Sequence, residues 1–326
     1  MSAATRADGL TIRGLSVQLG LAGGRWVHAV SDLDLDLPAG TVTLLAGESG
    51  CGKSVLAAAL IGLLPPTARI RGRVELAGPG GGRIDLLSLT DAELSARVRG
   101  RRIGLMPQSA ATALTPTRTV GDLVDEAVTT LGGSVPAARL LAEVGLDPAG
   151  VRELYPHQLS GGMAHRVLVA LALAGEPDVL LCDEPTAGLD PANADRVARL
   201  LAGQARSGRA VLLITHDIAA GAAVADRIAV MVTSRLVEVG PTAAVLADPR
   251  HDYSRALWNA LPERGFRPVP GDPPPLTDLP AGCAWHRRAG GPCTGVLALQ
   301  PAGPDRWVSC GDPSGAATGD ALRETR

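Results

Sequence analysis

The most regular alternation in the chain lies between Val27 and Leu37, where Leu33, Leu35 and Leu37 are interleaved with Asp32, Asp34 and Asp36. A period of two with one apolar face predicts an antiparallel, half-exposed strand. Leu10 to Leu19 alternates more loosely and is read as its neighbour across the loop Gly20 to Gly24. Pro38-Ala39-Gly40 then turns the chain into Thr41 to Ala46, a short apolar run of the kind found in strands buried on both faces. Val55 to Leu64 reads as a helix, and Arg71 to Leu76 and Arg83 to Leu87 as short strands around the glycine-rich hairpin Gly78 to Gly82. Thr90-Asp91-Ala92-Glu93 has the residues of a capping box and predicts a helix start.

Further along, Ile103 to Gln108 reads as a strand ending in a polar loop. Val120 to about Gly175 has a helical pattern rich in alanine and leucine, broken at Gly132-Gly133 and Pro148. Val179-Leu180-Leu181-Cys182 and Ala210 to Ile214 are buried strands flanking a helix over Ala192 to Gln204. Ile228 to Val232 and Leu236 to Val239 close this part as a strand pair. Strands that alternate with helices, apolar on both faces, indicate an α/β core around a parallel sheet. Beyond Gly240 the pattern changes: Thr242 to Leu246 and Tyr253 to Ala260 look helical, and Pro262 to Pro280 reads as an extended proline-rich linker. The tail after Gly311 is small and polar and is expected to fray.

Composition narrows the class. Hydrophobic residues make up 46% of the 326 positions but aromatics only 2%, so the core must be built from Leu, Val, Ile and Ala. A net charge of −2 offers no basic field for nucleic acid. Met1 to Thr11 holds no apolar stretch suited to a signal peptide, and no run is long enough to span a membrane. Five unevenly spaced cysteines do not form a disulfide framework, which makes the cytosol the expected compartment.

The chemistry centres on Gly47-Glu48-Ser49-Gly50-Cys51-Gly52-Lys53-Ser54, a phosphate loop in its expected context of strand, turn and helix. Its glycines let the backbone wrap a phosphate chain while the helix N-terminus adds positive potential. Lys53 is expected at the β- and γ-phosphates of a nucleoside triphosphate and Ser54 on Mg²⁺. Lys53 is also the only lysine among 31 basic residues, as fits a site that needs a compact ammonium rather than a guanidinium fork. Asp183, ending a buried strand, is suited to hold Mg²⁺, and Glu184 to polarise an attacking water. Trp26 has two readings, an adenine-stacking ring or a packed surface tryptophan. Cys51 and Cys182 read as small packing residues.

A second phosphate-binding helix end, Leu159-Ser160-Gly161-Gly162-Met163, precedes Asp183 by 23 residues counted from its serine. One nucleotide does not need two such ends, so the second is read as serving the nucleotide of a facing subunit. With Gln108, the loop Ala187-Gly188-Leu189-Asp190 and His216 after a buried strand, these motifs resemble the ATP-binding subunits of ABC transporters over about Leu10 to Gly240. Tyr155-Pro156-His157-Gln158 before the signature, Ala113-Leu114-Thr115-Pro116, and His251-Asp252-Tyr253-Ser254-Arg255-Ala256-Leu257 resemble the dipeptide/oligopeptide/nickel importer subgroup, and Met163 its "D" partner.

The resemblance implies a P-loop NTPase (RecA-like) core with an antiparallel β-subdomain and an inserted helical subdomain. These form an ABC nucleotide-binding domain over residues 1–240, with its helical part at about 89–175 and a small irregular C-terminal extension over 241–326. It implies Glu184 as base or water-positioning group, His216 at the γ-phosphate, Gln108 at the metal and permease interface, and Asp190 in the D-loop. A strand-end histidine that is merely hydrogen-bonded is the alternative for His216. Implied partners are a second ABC ATPase subunit, two membrane permease subunits and a solute-binding protein, at the cytoplasmic face of the cell membrane. Peptides are the expected solute, nickel or metal chelates the alternative; a non-transport ABC ATPase in DNA repair or translation is the rival of another class.

The signature helix departs from the subgroup at Ala164-His165, with His165 expected as a tolerated surface substitution. Pro107-Gln108-Ser109 also departs, replacing the usual Phe-Gln-Asp. In the subgroup the extension often carries four cysteines, which in some members hold an iron–sulfur cluster. Here Cys283, Cys293 and Cys310 remain, and with His286 they form a candidate Cys₃His set for zinc or, less usually, an iron–sulfur centre. The alternative is a remnant that packs without metal.

Overall fold

The computed structural model describes residues 9–78, 82–279, 282–290, 293 and 295–310; the tail from Gly311 and the tip of the glycine-rich hairpin lie outside them. In chain order the first elements are β1 (Gly9–Gly20), β2 (Trp26–Pro38), β3 (Val42–Ala46), α1 (Lys53–Leu60), β4 (Arg69–Ala77), β5 (Arg83–Asp85), α2 (Asp91–Arg97) and β6 (Ile103–Met106). A helical stretch follows: α3 (Ala110–Ala113), α4 (Val120–Leu131), α5 (Ala137–Glu143), α6 (Pro148–Val151) and α7 (Gly161–Leu173). Next come β7 (Val179–Asp183), α8 (Pro191–Arg206), β8 (Ala210–Ile214), α9 (Ile218–Ala222), β9 (Arg227–Val232) and β10 (Arg235–Pro241). The chain continues through α10 (Thr242–Ala247), α11 (Asp252–Asn259), α12 (Ala284–Ala289), β11 (Gln300–Pro301) and β12 (Trp307–Val308).

Two sheets carry the fold. The smaller is antiparallel, with strand order β2-β1-β4-β5. The aspartate-leucine alternation of β2 behaves as its period predicts, Leu33, Leu35 and Leu37 being buried and the intervening aspartates exposed. The larger sheet has the order β11-β12-β10-β9-β3-β8-β7-β6, with β9, β3, β8, β7 and β6 mutually parallel.

Alternate residues of the central strands feed two separate cores. Val42, Leu44, Leu180, Val211 and Leu213 pack with α4, α5, α7 and α8, whereas Leu45, Leu181, Leu212 and Ile214 pack with α1 and the small sheet. A strand buried on both faces needs an apolar residue at every position, which is why these runs are short and continuous. The capping box at Thr90 forms as the sequence predicts, with Glu93 Oε2 accepting from the Thr90 backbone N–H at 2.8 Å.

Two expectations need correction. β6 lies inside the span expected for the helical subdomain but pairs in parallel with β7, so the helical layer runs from α3 to α7. Its apolar residues, Ile103 and Met106, find a place only in the sheet.

The extension is also less irregular and less separate than expected. β12 pairs with β10 through Glu238↔Val308 and Val239↔Trp307, extending the core sheet. Fully buried Glu238 accepts from Arg306 Nη2 at 2.6 Å and from the backbone N–H groups of Arg250 and His251. The proline-rich segment does not hang free either, since the backbone N–H of His28 in β2 donates to the Leu276 carbonyl at 2.9 Å.

Candidate functional site

The carboxyl ends of the parallel strands gather the predicted residues. The phosphate loop follows β3, Gln108 follows β6, Asp183 and Glu184 end β7, and His216 follows β8. In open α/β sheets a ligand binds at such ends, because loops diverge there and helix N-termini point inward. Gly47, Gly50 and Gly52 all have positive φ, at 156°, 79° and 112°. At Gly52 a Cβ would sit 1.9 Å from the Ala29 carbonyl oxygen, so glycine is also required there by β2 passing close by. Lys53 is buried, and its Nζ donates to the Gly47 and Glu48 carbonyls at 2.8 and 2.9 Å. With these bonds the ammonium is folded along the inside of its own loop.

Burial raises the pKa of the Asp183 carboxyl, and the neighbouring Ser54 hydroxyl lowers it in part. Asp183 Oδ1 is buried with no hydrogen-bond partner. An orphaned carboxylate oxygen beside a serine hydroxyl, in a place that penalises unneutralised charge, fits a hard divalent cation such as Mg²⁺. Gln108 is exposed.

Glu184 is nearly buried and adopts a left-handed φ of 50°. Its backbone N–H continues the sheet to the Ile214 carbonyl at 2.8 Å. Its Oε2 lies 2.8 Å from His216 Nδ1 and accepts the His216 backbone N–H at 3.2 Å. The structure thus joins two residues that the sequence only placed on separate strands. Trp26 is half-buried with the Arg69 guanidinium 3.9 Å above its ring, so one face of the indole is already covered.

The signature turn lies in the other layer. α7 packs in the core shared with α4, α5 and α8, and α1 in the core shared with the small sheet, so the two helix ends do not belong to one face of the large sheet. Ser160 caps α7, its Oγ accepting the Met163 N–H at 3.3 Å. Ser160 and Gly161 are exposed, Gly162 is buried, and Leu159 and Met163 are half-buried.

His165 corrects an expectation: it is 7% exposed, not a surface residue, and its Nδ1 lies 2.9 Å from the Gly161 carbonyl. Beside it Arg166 donates to the carbonyls of Gly162 and Gly145. Asn193 was missed from the sequence. It donates to Asp190 Oδ2 at 2.6 Å, and a Cβ on Gly162 would stand 2.5 Å from its side chain. Asp190 in turn caps α8 by accepting the Asn193 N–H. Asn193 therefore joins the D-loop to the signature turn.

A third grouping lies in the extension. The ligand atoms of His251, Cys283 and Cys310 lie within 4.8 Å of one another, and so do those of His286, Cys293 and Cys310. His251 is the residue the sequence reading left out, since it sits 32 positions before Cys283. Its Nδ1 accepts the Tyr253 N–H at 3.0 Å, which assigns the ring proton to Nε2, 3.2 Å from Cys310 Sγ. His286 has the opposite arrangement: Nε2 faces Asp252 at 3.4 Å and Nδ1 faces Cys310 Sγ at 3.7 Å. The Asp252 carboxylate pushes the His286 pKa up to about 10, and His286 in turn holds Asp252 down at about 2. Hydrogen bonds from Cys310 and the two imidazoles hold the Cys283 thiol well below the usual cysteine range. By contrast, burial pushes Cys51 upward and Cys182 up to about 12, as suits inert packing residues.

Comparison with known proteins decides the family. Residues 30–187 match the family described as ABC transporter, and residues 237–290 match the oligopeptide/dipeptide transporter C-terminal region. The "Dipeptide transport ATP-binding protein DppD" of Bacillus subtilis is 38% identical over 294 residues, covering 86% of each chain. The chain belongs to the ABC transporter ATP-binding subunits. Within them it falls in the dipeptide/oligopeptide group. The "Probable D,D-dipeptide transport ATP-binding protein DdpD" of Escherichia coli is also 38% identical, over 88% of each chain. Among solved structures, the bacterial ABC transporter cassette MJ0796, described as dimeric, matches with a TM-score of 0.60 and 25% identity. It covers 72% of this chain and 98% of its own. The ABC assignment makes the protein an ATPase of P-loop NTPase fold, with ATP as its substrate. Among the described residues no helix is long and apolar enough to cross a membrane.

Proposed function

We propose that the protein is the ATP-hydrolysing subunit of a membrane importer for dipeptides or oligopeptides. It would work at the cytoplasmic face of the cell membrane with a second ABC ATPase subunit, two permease subunits and a solute-binding protein. The observation that carries this reading is the coexistence of two phosphate-binding helix ends in different layers of one chain that also has the oligopeptide/dipeptide C-terminal region. A nucleotide on Gly47 to Ser54 would be completed by Leu159 to Met163 of a facing subunit.

Lys53 would leave its loop carbonyls for the β- and γ-phosphates, while Ser54 and Asp183, with Gln108, would hold Mg²⁺, which supplies charge neutralisation on the phosphates. Glu184 would orient and deprotonate the attacking water. His216, hydrogen-bonded to Glu184, would report the γ-phosphate to that carboxylate. The free face of Trp26 would be left for the adenine. Asp190 would act across the interface through its Asn193 contact.

Glu184→Gln in the assembled complex tests the catalytic assignment. Hydrolysis is expected to fall by about 10²- to 10⁴-fold with ATP binding retained. A wild-type rate would overturn it. For the solute, uptake of a labelled dipeptide that requires this chain supports the reading; nickel uptake in its place would favour the metal importers.

For the extension we infer a single metal ion, zinc by preference, held by Cys283, His286 Nδ1, Cys293 and Cys310. The sulfur–nitrogen separation of 3.7 Å between Cys310 and His286 matches the tetrahedral edge of about 3.6 Å implied by ordinary zinc bond lengths. A four-iron cluster would set each cysteine on a different iron and hold the sulfurs farther apart. His251, with its proton on Nε2, would donate to the Cys310 sulfur instead of ligating. Elemental analysis and a visible spectrum on anaerobically purified protein distinguish zinc from iron; absence of both would retire the site.

A further inference from the structure

The phosphate loop is gripped from outside the nucleotide-binding core. Arg288 of α12 is 3% exposed at its side chain and forms a two-pronged ion pair with Glu48, Nη1 to Oε2 at 2.6 Å and Nη2 to Oε1 at 3.1 Å. The guanidinium is itself fixed by the carbonyls of Pro270 and Gly271, each at 2.6 Å from it. Tyr253 of α11 adds two further contacts: its hydroxyl accepts the Glu48 backbone N–H at 3.1 Å and donates to Glu48 Oε2 at 3.3 Å. Glu48, the second residue of the loop, is thereby held by two helices of the C-terminal extension, α11 and α12, that lie some 200 or more positions away.

The loop needs such a holdfast. Its three positive-φ glycines give it many conformations, and only one of them offers its N–H groups to a phosphate chain. The Glu48 carbonyl is moreover one of the two that hold Lys53 Nζ. Fixing Glu48 thus fixes both the entry to the loop and the resting place of its ammonium. Fixing a flexible loop in its bound shape raises affinity by removing the ordering cost.

We propose that Arg288 is a positioning residue of the ATP site, holding the phosphate loop in its nucleotide-binding conformation through Glu48, with Tyr253 as its second support. The C-terminal extension is then a working part of the ATP site. This rests on the reading of Gly47 to Ser54 as the ATP loop, and Lys53→Ala in the same assay checks that reading separately. Unimpaired ATP binding by Lys53→Ala would sink the loop assignment rather than the role of Arg288.

The test uses the full chain and, for turnover, the assembled transporter. Arg288→Met is expected to raise the Kd for a fluorescent ATP analogue, and the KM for ATP, by about tenfold, with kcat changed less than twofold. Arg288→Lys, which keeps the charge but not the fork, should fall between Arg288→Met and wild type. Glu48→Gln should weaken binding similarly, and the double variant should bind no worse than Arg288→Met, because both act through one contact. A residue that merely pinned the extension would lower Tm and leave the Kd alone. Wild-type Kd in Arg288→Met, or additive losses in the double variant, would overturn the proposal. If Arg288→Met does not fold, Glu48→Gln decides alone, since it leaves Arg288 on its two carbonyls.

Discussion

The two helix ends proposed to bind phosphate are built on opposite plans. α1 begins at Gly52, in the left-handed region and without a side-chain cap, so its first N–H groups are left for a ligand. α7 begins at Ser160, which caps it, and its first carbonyls are engaged by His165 and Arg166. The first end is a glycine-rich loop that relies on remote supports to hold its shape. The second is a finished, rigid face with exposed Ser160 and Gly161. In a site divided between subunits, one half would be shaped by contacts from its own extension and the other would present fixed geometry.

Three substitutions would break or sharpen this comparison. Lys53→Ala should have the largest effect on nucleotide binding, weakening it by about 10- to 100-fold through loss of a charge-assisted contact, as read by nucleotide titration of the isolated chain. Ser160→Arg should leave that titration unchanged but lower hydrolysis in the assembled complex by about a hundredfold, because it removes one preorganised donor set and blocks the interface. If Ser160→Arg weakened ATP binding to the isolated chain as much as Lys53→Ala did, the division of the site between subunits would be wrong. Gly162→Ala should have the smallest effect. Its Cβ would press on Asn193 and cost about 1–3 kcal/mol of stability by denaturant melts, with hydrolysis lowered as Asn193 loses its hold on Asp190.

Much of this was legible in the chain. The alternation of leucine and aspartate in β2 fixed its exposed face, because side chains in a strand point alternately to either side. The apolar runs ending at Ala46, Asp183 and Ile214 announced central parallel strands, and the residues after them announced the site. Other features were not legible, since they depend on contacts between residues far apart in sequence. His165 looked like a surface residue because its helix position is known, but the side of that helix that is buried depends on α8 and its neighbours. Pro262 to Pro280 looked like a free linker because its composition forbids helix. Its contact with β2 runs through one backbone bond, His28 N–H to the Leu276 carbonyl, which leaves no periodic trace.

The contrast is sharpest at Glu48. By itself the sequence determined that Gly47 to Ser54 has the phosphate-loop pattern, because the glycines, the lone lysine and the serine are local features readable without the fold. It also determined that Leu159 to Met163 opens a second helix, which is the ground for proposing a partner subunit. Only the tertiary structure decided that Glu48 is held by Arg288 and Tyr253, that Glu184 meets His216, and that the five cysteine and histidine side chains of the extension converge. Those pairings come from segments brought together by folding, and no spacing along the chain encodes the distance between side chains that only the packed core fixes.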